Sequence, residues 1–436
     1  HDQSLKENLQ KAALEKETHN LSTEMEKALS QKTVSLLKEI GIIATRSNLS
    51  LYLIGGIVRD IILGRKNDDI DLVVEGDGIA FSQQLENELG GEVIIHEDFG
   101  TATWKHPSGL KLDIASSRLE YYEHPAALPN VERSTLKEDL YRRDFTINAM
   151  AICLNQDKFG LLIDPFQGRT HLQEKKIVVL HNLSFVEDPT RILRAVRFET
   201  RFRFAMDEQT EELALTCMDK IRALSTTRLY QELRKLFSEP FPEKSLKRLF
   251  QLQFWKQLGI SRQAATPSSF QAKQLTMLTA SLERAKVLDK KLNWFLYLLI
   301  PFFQDDQLER AQSLALTKQE SKLLKEILAL KNVEQWPQNN LGEMHRLAHQ
   351  YAAHALLFHA SLCTEEFQQL LVNYLRKRKE LTSLLTGEDL KKQGLKPGPE
   401  FRQILFELEV AMLNDEVTTR KEALSWLKRY INEKSG

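Results

Sequence analysis

The chain has 436 residues, of which 42% are hydrophobic and 28% are charged, and its 60 basic side chains balance 60 acidic ones. This length can bury more than one hydrophobic core, and the composition is that of a soluble globular protein. The formal net charge of zero excludes a strong overall attraction to nucleic acid, so any affinity for RNA must come from local basic patches. No run of about 18 apolar residues is present, so we expect no membrane-spanning segment.

The cysteines bear on the cellular compartment of the protein, and the first residue bears on the extent of the chain. Cys153, Cys217 and Cys363 are scattered without the spacing of metal ligands, which is typical of a reducing compartment. No signal peptide is visible, and we therefore predict a cytoplasmic protein. The chain opens on His1 and not on Met, which leads us to expect that it was cut from a longer protein.

In chain order, the predicted elements form a β-rich part and then a helical part. Residues 1–48 are polar and helix-favouring, with apolar residues at helical spacing near their end, which predicts a lead-in helix packed on the β-rich part. From residue 51 to about 180, short β-rich runs alternate with turns and a few helices, which predicts a small mixed sheet covered by helices. After residue 184 only helical patterns remain, and they are broken by Pro and Gly at 238–244, 266–269, 335–340 and 394–401.

Residues 51–76 carry the most informative chemistry. They read as a strand, the pair Gly55-Gly56, a short helix, and a second strand with Asp69 and Asp71. Side chains two apart on a strand point to the same face, so both carboxylates project together beside the glycine turn. Mg²⁺ prefers carboxylate and phosphate oxygens, and glycines at a helix start let a triphosphate approach the backbone. Each half alone is typical of an ordinary turn or loop end, but together they predict a metal-dependent phosphoryl-transfer site.

Several motifs occur along the chain in an order that is similar to one family. They are Gly-Gly-x-Val-Arg-Asp from Gly55, Leu-Gly, Asp-x-Asp, RRDFTINAMA at 142–151, DPFQGRTHL at 164–172 and EDPTRILRAVRF at 187–198. Together they resemble the class II tRNA 3′-terminal nucleotidyltransferases and bacterial poly(A) polymerases of the polymerase β superfamily. The resemblance covers roughly residues 50 to 240.

The resemblance implies a polymerase β-like nucleotidyltransferase fold, an α/β head with a small mixed sheet and helices, followed by an all-α neck, body and tail. We place a helical lead-in at 1–48, the head at 49–183, the neck at 184–245, the body at 246–345 and the tail at 346–436.

The chemistry needs further groups around the first two carboxylates. Asp113, on a later strand, is the expected third catalytic carboxylate beside Asp69 and Asp71; the alternative is a strand-end residue bonded to a turn. Two metal ions would then activate an RNA 3′-hydroxyl and neutralise the departing pyrophosphate. Arg59 is expected to contact triphosphate oxygens, and the alternative is a surface pair with Asp60.

The motif RRDFTINAMA supplies further nucleotide contacts in the family, namely Arg142, Arg143, Asp144 and Asn148, for the sugar and the triphosphate. Guanidinium groups suit phosphate because they offer paired donors in one plane. We expect one of the two arginines to face solvent, and Asp144 could equally be a helix N-cap. Arg194 is implied as another nucleotide-binding residue.

The motif that begins at Glu187 predicts base recognition. Asp188 and Arg191 share a face of a helix that we expect to start at Pro189. An aspartate accepts from an exocyclic amino group and an arginine donates to the adjacent ring nitrogen, which fits cytosine and adenine; a mismatched base would leave buried polar groups unpaired at about 1–3 kcal/mol each. The residues alone allow equally an N-cap with Arg191 as its partner; the resemblance favours nucleotide binding, with Glu187 orienting Arg191.

Two further segments bear on the substrate. Residues 116–141 are too long and polar for a simple hairpin turn, and a flexible loop here is associated in the family with adding the terminal A, which argues against a CC-only enzyme. The basic run YLRKRKE at 374–380 and the Gly-Pro-rich segment 381–405 predict contacts to tRNA phosphates. The alternatives are a solvated surface and an ordinary helix-turn-helix.

The resemblance therefore implies a Mg²⁺-dependent, template-independent tRNA nucleotidyltransferase that adds the terminal A. It would use ATP alone as an A-adding specialist, which the opening His1 favours, or ATP and CTP as a full CCA-adding enzyme, and its tail would bind the tRNA acceptor and TΨC arms. The runner-up is a poly(A) polymerase, but those usually carry a strongly basic C-terminal extension and this chain ends in YINEKSG. The non-enzyme alternative is a catalytically silent RNA-binding module, against which all the needed carboxylates are present.

Overall fold

The computed structural model describes residues 19–121, 126, 130–133, 135–261 and 264–436. The chain divides into two compact units, of which one ends at Leu224 and the other begins at Ser225. This division falls inside the segment that we predicted as the neck. The boundaries of head, neck, body and tail stay predictions.

The strands all lie in the first unit among the described residues. They are β1 (Ser50–Ile54), β2 (Ile70–Glu75), β3 (Glu92–His96), β4 (Thr101–Lys105), β5 (Lys111–Ser116), β6 (Arg118–Tyr121), β7 (Asn130–Arg133), β8 (Ala151–Cys153), β9 (Leu162–Ile163), β10 (Lys176–Ile177) and β11 (Ala205–Met206). Seven of them form one sheet in the order β3-β4-β5-β2-β1-β8-β9. In this sheet β2 and β5 are parallel neighbours, and the other neighbouring pairs are antiparallel. The prediction of a small mixed sheet is therefore confirmed.

The alternation of apolar and polar residues orients the two central strands. On β2, Ile70 and Leu72 are buried while Asp71 is exposed, and on β5 Leu112 and Ile114 are buried around an exposed Asp113. A period of two puts apolar side chains into the core and leaves the carboxylates on the open side. The sheet therefore presents both aspartates on its surface.

The helices of the first unit cover the sheet. They are α1 (Ser22–Ala28), α2 (Gln31–Arg46), α3 (Gly56–Leu63), α4 (Gly78–Leu89), α5 (Leu136–Tyr141), α6 (Gly168–Gln173), α7 (Ser184–Glu187), α8 (Thr190–Phe202) and α9 (Glu208–Cys217). Helix α2 buries Leu37 and Ile40. It approaches the chain after β8 so closely that a Cβ on Gly41 would lie 1.9 Å from the Leu154 carbonyl oxygen, so this position requires glycine.

The segment predicted as a long loop, 116–141, contains regular structure. Strands β6 and β7 pair as an antiparallel ribbon from Arg118 opposite Arg133 to Tyr121 opposite Asn130, and α5 comes after it. The expectation of a loop throughout is therefore wrong, because the short alternating runs at both ends of the segment pair with each other. Residues 122–125, 127–129 and 134 of the predicted loop lie outside the described residues.

The helical remainder contains one departure from the sequence prediction. Strand β11 pairs in parallel with β10, although we expected only helices after residue 184. Its two residues are too few to produce a period-two pattern.

The second unit is helical throughout its described residues. Its α-helices are α10 (Thr226–Phe237), α11 (Pro242–Gln251), α12 (Phe254–Gln257), α13 (Thr266–Arg284), α14 (Asn293–Gln304), α15 (Lys318–Leu330), α16 (Leu341–Ala348), α17 (Ala353–Ala360), α18 (Glu365–Glu380), α19 (Gly387–Lys392), α20 (Pro399–Leu413) and α21 (Arg420–Ser435). The predicted breaks mark helix junctions, since Pro242 and Pro399 each begin a helix, where a missing N–H costs nothing. In the described part of the chain, no helix is both long enough and apolar enough to cross a membrane.

Candidate active site

The predicted carboxylates lie on the open face of the sheet in the first unit. Asp71 on β2 and Asp113 on β5 are direct partners in the parallel register. Asp69 stands just before β2, where its backbone N–H donates to Asn67 Oδ1 at 2.8 Å. All three carboxylates are exposed, and adjacent pairing places Asp71 and Asp113 side by side.

The two aspartates repel each other. Crowding by neighbouring protein atoms raises the pKa of Asp71 to about 6, and the negative charge of Asp113 adds to the rise. The positive charge of Arg143 opposes it. Because the Asp71 side chain is still open to solvent on one side, water screens part of this repulsion. The site is a concentration of negative charge without full internal compensation.

The carboxylates are suitable ligands for a divalent cation, but they do not form a complete coordination site in the structure. Across the residues that the structure describes, no group of three His, Cys, Asp or Glu side chains is arranged to hold a metal ion. However, carboxylate oxygens are the hard ligands that Mg²⁺ prefers, and a bound cation would reverse the rise in the pKa of Asp71. Asp69 and Asp71, with Asp113 beside them, are thus the residues that could hold such an ion.

The double glycine lies beside Arg143. Gly55 has a φ of 86°, and a Cβ there would lie 3.1 Å from Arg143 Nη1. Only glycine accepts both this conformation and this close approach at low cost. Arg143 also contributes to the electrostatics of Asp71, so the structure brings the glycine turn, this arginine and the carboxylates together.

Arg142 and Arg143 share one buried acid. Arg142 Nε lies 3.5 Å from Asp139 Oδ2 and Arg143 Nη2 lies 3.3 Å from Asp139 Oδ1. Their side chains are 13% and 23% exposed, so the expectation that one of them faces solvent is wrong. The reason is Asp139, whose carboxylate is buried one helical turn earlier and would be costly without cationic partners.

Arg59 is buried and engaged with protein groups. It donates to both oxygens of Asp60 at 3.0 and 3.1 Å and to Asn148 Oδ1 at 2.6 Å. Asn67 Nδ2 also donates to Asp60. The structure thus shows the Asp60 pairing that the sequence left as the alternative, but in the interior and not at the surface.

Asp144 continues this buried chain of polar groups. Its Oδ1 accepts from Asn148 Nδ2 at 3.0 Å and from the Phe145 N–H, and its Oδ2 accepts from Arg194 Nε at 2.8 Å. Burial alone would raise the pKa of Asp144, but the charge of Arg194 and the hydrogen bonds from Asn148 and Arg194 hold it below its ordinary value. Four predicted nucleotide contacts, Arg59, Asn148, Asp144 and Arg194, therefore form one internal network.

The motif predicted to read the base lies at the junction of α7 and α8. Arg191 is buried and donates to the Ser184 carbonyl and hydroxyl at 3.2 and 2.9 Å and to the Arg142 carbonyl at 2.9 Å. Glu187 Oε2 lies 3.6 Å from Arg191 Nη1. Through the Arg142 carbonyl, Arg191 is tied to the segment that carries Arg143.

Asp188 lies two residues before helix α8, between α7 and α8. Its Oδ1 accepts from the Thr190 N–H at 3.1 Å and from the Thr190 hydroxyl at 2.6 Å, which is a local turn of the kind aspartate makes with the backbone two residues on. The N-cap position itself is occupied by Pro189. Helix α8 starts at Thr190, one residue later than expected. The roles of Asp188 and Arg191 in base recognition stay predictions.

Sequence reasoning missed several residues that contact the predicted site. Thr103 donates to Asp113, His96 contacts Thr103, and Asp139 holds both arginines. Asp139 could have been found from its spacing of three and four residues before the arginines on a helix. Thr103 and His96 could not, because only the pairing of β3, β4 and β5 brings them to Asp113.

Comparison with known proteins places this chain in one class. The family described as poly A polymerase head domain matches residues 51–178, and the family described as probable RNA and SrmB- binding site of polymerase A matches residues 203–259. The chain belongs to the tRNA nucleotidyltransferase and poly(A) polymerase family. Nucleotidyltransferases of this family generally use divalent metal ions.

Individual relatives extend the similarity to nearly the whole chain. The A-adding tRNA nucleotidyltransferase of Halalkalibacterium halodurans is 37% identical over 95% of this chain and 96% of its own length. That of Geobacter sulfurreducens is 36% identical over 92% of this chain, which spans only 47% of that protein.

Solved structures show the same architecture. A CCA-adding enzyme in an apo form has a TM-score of 0.80 at 33% identity, covering 94% of this chain and 99% of its own. The Thermotoga maritima CCA-adding enzyme in complex with tRNA has a TM-score of 0.77 at 30% identity, covering 94% and 98%. The prediction of family and fold class is confirmed.

Proposed function

We propose that this protein is a template-independent tRNA nucleotidyltransferase that transfers AMP from ATP to the tRNA 3′ end and releases pyrophosphate. The observation that carries the proposal is the parallel register pair of Asp71 and Asp113, open to solvent beside the Gly55 turn and Arg143. Such a site combines uncompensated negative charge, a glycine turn at a helix start and a guanidinium, which together suit a metal-bound triphosphate.

Mg²⁺ is the proposed ion, held by Asp69 and Asp71 with Asp113 beside them; when bound, it would polarise phosphate oxygens and stabilise the charge that develops during transfer. The residues of the chain then act mainly by positioning. Arg143 lies against Gly55 and would fix the triphosphate by paired donors. Asp113 would accept the hydrogen bond of the RNA 3′-hydroxyl and orient it for attack on the α-phosphorus.

The proposed base selection depends on Arg191 and Asp188. Arg191 Nη1 and Nη2 are held by Ser184 and by the Arg142 carbonyl, so its guanidinium is fixed. A rigid donor beside an acceptor favours adenine and cytosine, because any other base would leave buried groups unpaired at about 1–3 kcal/mol each. Arg59, Arg142, Asp144, Asn148 and Arg194 would support this pocket, with Glu187 orienting Arg191.

Within the family, we favour addition of the terminal A alone. The two relatives at 37% and 36% identity carry the A-adding name, whereas the two structural neighbours at 33% and 30% identity are CCA-adding enzymes. Neither a poly(A) polymerase nor a silent RNA-binding module is favoured. The proposed partners are ATP and a tRNA whose acceptor and TΨC arms contact the second unit, and CTP is the additional substrate in a full CCA-adding enzyme.

The proposed location is the cytoplasm. Cys153, Cys217 and Cys363 are free thiols in the structure, which suits a reducing compartment.

One assay tests the proposal directly. Purified protein is offered tRNA ending at the discriminator base, at C or at CC, with labelled ATP or CTP, and the nucleotides added are counted. We expect one A on the CC-ending tRNA and no C on any substrate. Addition of both C and A would identify a full CCA-adding enzyme, long A tracts would identify a poly(A) polymerase, and no incorporation with Mg²⁺ present would refute catalysis.

A further inference from the structure

A chain of hydrogen bonds crosses three strands and ends on a catalytic candidate. Thr103 on β4 faces Asp113 on β5 in the antiparallel register, and its hydroxyl donates to Asp113 Oδ1 at 2.7 Å. His96, the last residue of β3, places Nε2 3.1 Å from the Thr103 hydroxyl oxygen. Thr103 is 6% exposed, so its hydroxyl depends on these partners.

The chemistry of the three groups fixes the direction of the chain. An ionised carboxylate only accepts hydrogen bonds, and a threonine hydroxyl has one proton to donate. Since that proton goes to Asp113, the oxygen of Thr103 must accept from His96. His96 therefore carries its proton on Nε2.

The same geometry gives the two oxygens of the Asp113 carboxylate different roles. Oδ1 is held by Thr103 through a charge-assisted bond, which is stronger than a bond between neutral groups. Of the described residues, none donates a hydrogen bond to Oδ2. One oxygen is thus anchored to the sheet and the other stays available for a ligand.

We propose that Thr103 and His96 are positioning residues for the transfer reaction, holding Asp113 through Oδ1 so that Oδ2 meets the RNA 3′-hydroxyl. The inference rests on the proposed function, because it takes Asp113 as the group that orients the nucleophile. Neither Thr103 nor His96 needs to touch the nucleotide. Their effect should therefore fall on turnover and leave nucleotide affinity alone.

The first test compares variants of Thr103 in single A addition to a CC-ending tRNA. Thr103→Val keeps the shape but removes the hydroxyl, and we expect kcat to fall about 10- to 100-fold, as is usual when a partner of a catalytic ligand is lost. KM for ATP and the tRNA dissociation constant should stay within about twofold, since the phosphate contacts lie elsewhere. Thr103→Ser restores the donor and should recover kcat to within about threefold of wild type.

A control lies away from the proposed site. Thr23 is an exposed threonine on α1 of the same unit. Thr23→Val should leave kcat unchanged. Wild-type kcat in a folded Thr103→Val protein, or equal loss in Thr103→Ser and Thr103→Val, would overturn the proposal, the second result showing that packing matters instead of the hydroxyl.

The second test asks whether His96 acts through Thr103. His96→Phe should lower kcat about three- to tenfold. In the Thr103→Val background it should cause no further loss, because the effects of two substitutions in the same hydrogen-bond chain do not add. Additive losses in the double variant would show that His96 acts by another route and would reject the chain.

The third test does not need activity. Nitrogen NMR of histidine-labelled protein reports which ring nitrogen bears the proton, and His96 should be protonated on Nε2 in the wild type and lose that preference in Thr103→Val. An Nδ1-protonated His96 in the wild type would reject the chain even if the enzyme is active. If the wild type adds no A while His96 behaves as expected, the proposed function has failed and the hydrogen-bond chain has not.

Discussion

Two aspartates in the first unit occupy opposite electrostatic situations. Asp71 is exposed beside Asp113, and crowding and like charge raise its pKa to about 6. Asp144 is buried, yet Arg194 and Asn148 lower its pKa below the ordinary value. The charge of the exposed aspartate on β2 is therefore not balanced by the protein, whereas the charge of the buried aspartate is balanced by its partners.

This contrast distinguishes the exposed carboxylates, which can bind a ligand, from the internal network that holds the surrounding structure in place. A carboxylate whose charge is not balanced by the protein gains most from a bound cation. The chain from Asp60 through Arg59 and Asn148 to Asp144 is already satisfied by the protein, so its value lies in rigidity. We therefore expect substitutions on the strand to affect chemistry and substitutions in the interior to affect specificity or stability.

The largest effect is expected from Asp71→Ala. Loss of this carboxylate should reduce turnover roughly 10³-fold or more, because a catalytic metal supplies several kcal/mol of transition-state stabilisation. The fold should survive, since the side chain is exposed and its removal relieves repulsion with Asp113. Single-turnover A addition, circular dichroism and tRNA binding check these expectations.

The matched control for Asp71→Ala is Asp157→Ala, which removes an exposed acid from the same unit. It should leave turnover unchanged. Near-normal incorporation by folded Asp71→Ala protein would mean that the exposed carboxylates are not the metal site and that the contrast with Asp144 has no catalytic meaning.

The next largest effect concerns Arg191, which, like Asp144, is buried and hydrogen-bonded to other groups of the protein. Arg191→Ala should reduce discrimination for ATP over GTP and UTP about 10- to 100-fold, corresponding to about 1–3 kcal/mol from unpaired base groups. Affinity for the triphosphate should change less, since Arg143 and the Gly55 turn are intact. Misincorporation is measured with each nucleotide alone and in competition.

Thermal unfolding decides between the two roles of Arg191. Because the side chain makes three hydrogen bonds to Ser184 and Arg142, its loss also removes structural contacts. A large drop in Tm with wild-type fidelity would make Arg191 a structural residue, as the helix-cap alternative requires. Arg222→Ala, which removes an exposed arginine of the same unit, should change neither quantity.

A smaller effect is expected from pH. The folded-state pKa of Asp71 is raised to about 6, so the folded protein holds a proton that the unfolded chain has already released. The contribution of Asp71 to stability therefore falls as pH rises from about 4 to about 6. Below about pH 6 the same proton competes with the cation, and apparent metal affinity should fall about tenfold per pH unit.

Metal titrations at several pH values measure this competition. Asp71→Asn cannot bind the proton, so its weaker metal binding should lose the dependence on pH. If the wild type binds metal equally at pH 5 and pH 7, Asp71 is not a ligand, and the rise in its pKa is only a consequence of crowding.

Much of the strand site could be predicted from local sequence. The period of two predicted that Asp69 and Asp71 share one face, and both are exposed in the structure although Asp69 precedes β2. The glycines before α3 predicted the turn, because that signal depends on neighbouring residues alone. The direct pairing of Asp71 with Asp113 depends on strand order, and no local pattern contains it.

The interior network was less predictable for a physical reason. Motif spacing allows Arg59 two possible partners, phosphate or Asp60, and the choice depends on Asn148, which lies 89 residues away. The prediction of a solvent-facing arginine was wrong for a similar reason, since the burial of Asp139 is a property of the packed helix. Partner choice among charged groups depends on tertiary burial more than on motif spacing.

The smallest expected effect extends the comparison to the basic run of the second unit. In α18, Arg378 donates to the carbonyls of Ala348 and Tyr351, and Lys377 pairs with Asp415, so part of the predicted tRNA-binding run is engaged with the protein. Lys392 and Lys396, around the Gly-Pro turn, are exposed and are the better candidates for phosphate contacts.

Charge reversal at this turn leaves intact the contact between α16 and the end of α20, where the Gly342 N–H donates to Asn414 Oδ1. Lys392→Glu with Lys396→Glu should raise the tRNA dissociation constant severalfold and lower the salt slope by about one per lost phosphate contact. ATP binding should not change. Lys322→Glu with Lys325→Glu, on the exposed side of α15, makes the same change in net charge elsewhere. If both double variants weaken tRNA binding equally, the effect comes from net charge and not from a specific contact. If the Lys392 and Lys396 variant binds tRNA as the wild type does, the turn has only a structural role.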